Sequence, residues 1–219
     1  MTENTETSLA DRPQSRQASP PFDASTRSLH LVFILLGIVS VLLVIGLTRW
    51  LAVDLGATIT RNTVRLSLSW YLAALLLMLG SRPTDWSALT TRGLVMRWCW
   101  TWAMLSFLVH LAMAFHYFHH WSHADAFERT RQVSGTGEGI YVSYLFTWLW
   151  LGDVLWWWLS PSSYSRRFVA IGRTLHTFML FIVFNGTIVY ETGIIRWAGL
   201  IGFGLLAVQW WMTKRYKLP

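Results

Sequence analysis

Apolar residues along this chain come in long runs broken by short polar segments, without the period-two alternation of a half-buried strand. The run Leu72-Ala73-Ala74-Leu75-Leu76-Leu77-Met78-Leu79 shows this plainly, since a barrel wall would alternate apolar and polar positions there. A helix needs roughly 20 mostly apolar residues to cross about 30 Å of hydrocarbon at about 1.5 Å per residue. Six segments meet or approach that length: 29–47, 63–80, 98–118, 139–160, 174–190 and 194–212. The pattern predicts an all-α integral membrane protein, a bundle of six transmembrane helices occupying residues 29–212. Arg65 and Arg196 lie inside the ends of the second and sixth segments, so their side chains are expected to reach back to the headgroups.

The flanks differ in kind. Residues 1–28 are rich in Ser, Thr, Pro and Gln with charges of both signs, a composition that predicts a disordered tail. The first apolar run lies far from Met1 and is followed by Thr48-Arg49-Trp50, which is no cleavage site, so it is expected to remain as a span. Residues 213–219 read as a short basic C-terminus. Basic residues set the orientation, because short loops rich in Lys and Arg stay on the cytoplasmic side. Twelve of the eighteen fall in the tail, the second and fourth loops and the C-terminus, so both ends are expected in the cytoplasm, with a bacterial inner membrane as the setting.

Composition agrees with lipid as solvent: 53% of residues are hydrophobic and 13% charged, where a soluble domain carries about a quarter charged. Fifteen Trp suit the headgroup boundary and leave room for a ring-shaped cofactor. The formal charge of +7 is spread in small groups between apolar runs, which argues against a nucleic-acid partner and for the bilayer itself. A single Cys, Cys99, excludes a disulfide framework and Cys-rich metal sites.

Candidate chemistry concentrates in the stretch from His116 to Glu128. Were helix to continue through it, His116, His120 and His123 would form one stripe, with His119 beside it and His110 deeper. Imidazoles at that spacing can share a Cu, Zn or Fe ion or contact a haem, with Asp125 and Glu128 able to ligate or to orient a His and Glu191 a further candidate ligand. Helix direction places Asn185, Tyr190 and Glu191 of the fifth segment, and Tyr141 and Tyr144 of the fourth, at the same outer level. The alternative is that these His residues are simply interfacial. Asp153 lies inside the fourth segment at the depth of His176, where a carboxylate is costly and is usually paired or functional. Trp150, Trp156 and Trp157 are its expected hydrogen-bond donors, and Arg97, Arg173 or His176 its expected positive charge; it serves as an interhelical clamp or as part of a proton relay.

Gly135-Thr136-Gly137-Glu138-Gly139 has no preceding strand and reads as a turn opening the fourth helix, not a phosphate loop. Ala198 and Gly202, with Gly199 and Gly204, make a small-residue face suited to close packing or self-association. The expected function is a metal- or haem-associated redox or metal-handling protein with an outward-facing His site. The alternatives are a non-catalytic subunit of a larger membrane complex and a proton-coupled carrier using Asp153 and His176.

Overall fold

Long apolar segments can satisfy their own backbone N–H and C=O groups only by coiling into helices, and that is what this chain does. The computed structural model describes residues 24–87 and 90–216, and among these residues there are helices and turns but no strand. In chain order the helices are α1 (Ala24–Leu51), α2 (Leu55–Leu79), α3 (Thr91–Tyr117), α4 (His123–Ser134), α5 (Gly139–Leu159), α6 (Pro161–Ser165), α7 (Val169–Phe184) and α8 (Gly193–Tyr216), with a 3-10 turn at Pro83–Ser87. A π-helical turn, Asn185–Val189, prolongs α7, the Tyr190 N–H bonding the Asn185 carbonyl at 3.0 Å.

Five helical stretches are long and apolar enough to cross a membrane: Ser25–Leu51, Leu55–Leu79, Thr91–Tyr117, Val169–Val189 and Gly193–Arg215. All six expected segments are helical, and several helices begin earlier than their apolar runs. Residues 24–28, expected in the tail, already belong to α1, and α2 begins eight residues ahead of its apolar run, where Asp54 caps it by accepting the Ala57 N–H at 3.0 Å. The rest of the expected tail, and residues 217–219 of the basic C-terminus, lie outside the described residues. The expected loop after α3 also holds a helix: the Ser122 hydroxyl caps α4, and Gly135 ends it at φ 86°, a left-handed conformation that costs glycine nothing.

Helices α2 and α3 form the central pair. The Ser67 hydroxyl donates to the Ala103 carbonyl at 2.8 Å between them. On one side α1 is held by Asn62 donating to Thr48 at 2.9 Å and by the Trp98 indole donating to His30 at 3.2 Å. Gly37 lets α1 lie against the Trp102 indole, since a Cβ there would sit 1.7 Å from a ring carbon. On the other side α5 runs antiparallel to α3: Trp158 donates to Thr101 at 2.8 Å near one end, and Phe107 meets Phe146 at 5.2 Å further along. The Trp157 indole donates to the Trp86 carbonyl at 3.0 Å and the two rings stack, placing the α2–α3 connection and the α5–α6 connection at the same end of the bundle.

Gly37→Val is expected to push α1 off Trp102 and to cost about 1–3 kcal/mol through overpacking. Gly46→Ala, where a Cβ meets nothing within 4 Å, is expected to be neutral or slightly stabilising. Thermal melts of both variants in detergent check the contrast, and equal melting temperatures would contradict this packing.

Candidate functional site

The predicted His stripe does not form. Helix α3 ends at Tyr117, and the chain then turns through His120 (φ 47°) and Trp121 (φ 59°) before α4 starts at His123. That break sends the imidazoles to different neighbours. His116 lies edge-on to Tyr117, His119 packs on Phe115, His120 sits 3.5 Å from Asp125, and His123 shares a 2.9 Å hydrogen bond with the Tyr144 hydroxyl. Tyr141 and Tyr144 thus stand at the expected level beside His123. Among the described residues no three His, Cys, Asp or Glu side chains converge on a common point that could hold a metal ion. Burial, and next the positive charge of Arg129, hold the His119 imidazole below its ordinary pKa.

Asp153 is buried at the centre of a different constellation from the one expected. Its Oδ1 accepts from Arg167 at 2.8 Å, and its Oδ2 accepts from the Trp100 indole at 2.9 Å and the Tyr164 hydroxyl at 3.0 Å. The Asp153 and Arg167 side chains are 4% and 9% exposed, so this is a shielded ion pair. None of the partners expected from the sequence bonds this carboxylate. Trp156 donates to Ser163, Trp157 to Trp86, and the Arg97 guanidinium lies 4.6 Å from the Trp158 ring centre. His176 meets only the edge of Trp100, at 5.3 Å, and neither of its shielded ring nitrogens has a hydrogen-bond partner. The sequence could not single out Arg167, because Arg166 and Arg167 are adjacent and only the α6 turn decides which one points inward. Through these bonds the carboxylate joins α3, α5 and the segment after α6, the geometry expected of an interhelical clamp.

A cavity system lies on the far side of Trp100. One lobe, about 270 Å³, has Arg61, Arg65, His110 and Glu191 among its lining and Tyr71 and Trp150 along its apolar wall. The adjoining lobe, about 380 Å³, is a half-open apolar groove between α2, α7 and α8 that runs along Ala198, Gly199 and Gly202. Arg65, Leu68, Tyr71, Val183, Thr187 and Ile195 line both, so the two lobes adjoin across a shared wall. Tyr71 and Trp150 are 3% and 2% exposed, yet the Tyr71 hydroxyl and the Trp150 indole N–H have no partner. An unmet buried donor of this kind costs about 1–3 kcal/mol. The π-helical turn contributes Gly186 and Thr187 to the wall, and such turns recur at functional sites.

Family models, curated proteins and solved structures offer no match to this chain.

The remaining site expectations divide along the same cavity. Glu191, expected beside the His cluster, instead lines the first lobe. His110 lines it too; its Nδ1 lies 2.9 Å from the Thr60 carbonyl, which can only accept, so Nδ1 carries the proton and Nε2 is left as an acceptor. Asn185 does neither, since its amide donates back to the Phe181 carbonyl at 2.8 Å. Ala198 and Gly202 line the second lobe, and Gly199 closes on Thr187. The sequence did not point to Tyr71, and Trp150, expected as a donor to Asp153, instead lines this cavity with its indole unpartnered. The available signal was the stripe Arg61, Arg65, Leu68, Leu72 on α2, which carries two charges into an otherwise apolar helix face.

Removing one member of the shielded ion pair, as in Asp153→Ala, is expected to cost about 3–5 kcal/mol. The double replacement Asp153→Leu with Arg167→Met is expected to recover much of that loss; detergent melting curves of the three proteins provide the measurement. A second expectation concerns pH. Because the folded pKa of His119 lies below 6.5, its contribution to stability is complete above the unfolded value and is lost as pH falls through the folded one. His119→Gln should therefore flatten the fall in melting temperature below about pH 6.5.

Proposed function

We propose that this protein is a six-span membrane protein, both termini cytoplasmic, that takes up an amphiphilic molecule from the surrounding bilayer into the cavity between α2, α5, α7 and α8. The observation that carries the reading is the pairing of an apolar groove with two buried, unpartnered donors, Tyr71 and Trp150. A wholly apolar guest would leave those donors unmet, and a wholly polar one would not enter a groove walled by Leu68, Val183 and Ile195.

The sixth span is α5, whose 21 residues give about 31 Å of helix. Its five tryptophans and two tyrosines lower its mean hydropathy, although their rings are mostly hydrocarbon. Alternation of six spans agrees with the contacts at the two ends of the bundle. The start of α1 meets the start of α3 and the end of α5 through His30, Trp98 and Trp158, while Gly56 at the start of α2 faces Tyr117 at the end of α3. Among the described residues the dispersed His side chains form no ligand set for the expected metal-handling role, and the three hydrogen bonds to Asp153 favour a structural use of that carboxylate over a carrier's relay.

Purified in mild detergent, the protein is expected to carry a bilayer-derived amphiphile at a one-to-one ratio, detected by native mass spectrometry and organic extraction. Ala198→Trp, which fills the groove from an exposed position, should abolish that retention while the melting temperature holds. Equal recovery from both proteins would reject the proposal. Reporter fusions should place the α3–α4 connection outside and the C-terminus inside.

A further inference from the structure

We infer that the amphiphile is a phospholipid with a zwitterionic, amine-bearing headgroup, an assignment that rests on the cavity being a binding site and adds the chemistry of its ligand. The charges on the lining of the first lobe come from Arg61, Arg65 and Glu191, two guanidinium groups and one carboxylate on an otherwise mostly apolar wall. Arg61 and Arg65 are one helical turn apart on α2 and share a face. Arg65 donates one N–H to Asn62 at 3.0 Å and keeps its other donors free. Two adjacent guanidinium groups make a site for a phosphodiester, whose oxygens accept from planar, forked N–H donors.

Glu191 follows the π-helical turn on the opposite wall, and its carboxylate has no hydrogen-bond partner among the described residues. A carboxylate facing a phosphate alone would repel it. Facing a primary ammonium tethered to that phosphate, it is complementary, and His110 Nε2 offers the ammonium a second acceptor.

The deeper groups continue the match. Tyr71 lies six residues below Arg65 on α2, about 9 Å along the axis, where the glycerol ester carbonyls of a lipid follow its phosphate. Those carbonyls accept from the Tyr71 hydroxyl and the Trp150 indole, two of the buried donors that have no partner among the described residues. Beyond Tyr71 the groove is apolar along Leu72, Phe203 and Leu206, and one acyl chain lies there before passing into the bilayer. An uncharged ring head such as a quinone would leave three charges at the mouth without a counterpart.

The test is competitive loading of delipidated full-length protein with dioleoyl phosphatidylethanolamine, dioleoyl phosphatidylglycerol and a long-chain quinone, read by native mass spectrometry. Phosphatidylethanolamine is expected to load preferentially. Arg61→Gln with Arg65→Gln should weaken its retention about ten- to a hundredfold, and Tyr71→Phe about tenfold. Glu191→Gln should erase the preference over phosphatidylglycerol without lowering total lipid bound. Melting curves confirm that each variant folds, and the Glu191→Gln and Tyr71→Phe arms stand alone should the double Arg variant fail to do so. Preferential loading of the quinone or of phosphatidylglycerol overturns this assignment and leaves the cavity a binding site. Loading of all three with equal ease in every variant marks the lipid as annular only and overturns both readings, as does no loading at all.

Discussion

A carboxylate removed from water has to be met by donors, and much of this molecule is arranged around that demand at Asp153. Four groups answer one another there: Asp153 on α5, Trp100 on α3, Tyr164 on α6 and Arg167 just beyond it. The guanidinium also lies over the Tyr164 ring at 3.8 Å, and Tyr164 stacks on Trp157 at 4.8 Å. Each contact fixes the next, so the ion pair sets the register of α5 against α3 and folds the α5–α7 connection under them. Desolvating such a pair is costly, and its value lies less in net stability than in allowing one arrangement of the helices.

The consequence reaches the cavity through Trp100. Its indole N–H is held by Asp153, which fixes the ring plane, and that ring stacks on Tyr71 at 5.5 Å and meets Trp150 at 5.2 Å. Tyr71 and Trp150 thereby help to form the cavity wall while their polar atoms stay shielded and unpaired. Tyr71 stands on α2 and Trp150 on α5, both pack on the Trp100 indole, and their rings also meet edge-on at 5.6 Å. Packing of this kind transmits position because aromatic side chains have few rotatable bonds and a buried ring has little room to tilt.

Helix ends shape the remaining surface. Two residues in left-handed conformation after α3, His120 and Trp121, and a capping Ser122 three residues before Asp125, redirect the chain into α4 instead of prolonging α3. At the α7–α8 connection the π-helical turn widens the end of α7, and Glu191 follows it. Both features are local backbone events with small energies. Their effects are large because every side chain beyond them is rotated to a new direction, which disperses the His residues at one connection and brings Glu191 into line with Arg61 and Arg65 at the other.

Residues such as Leu72 to Leu79 determine helix by themselves, because their apolar runs are long and have no strand period; the expected segments and the helices differ mainly at their polar ends. The need of Asp153 for partners was equally legible, since a lone carboxylate in an apolar run announces that requirement whatever surrounds it. Which partners answered was not, because Trp100 and Arg167 are 53 and 14 residues away along the chain and nothing local distinguishes Arg167 from Arg166. The His cluster shows the converse: spacing alone implied a shared face, and a turn that no periodicity records removed it. Tertiary structure alone decided the cavity, since an empty volume belongs to no residue and exists only where α2, α5, α7 and α8 fail to close on one another.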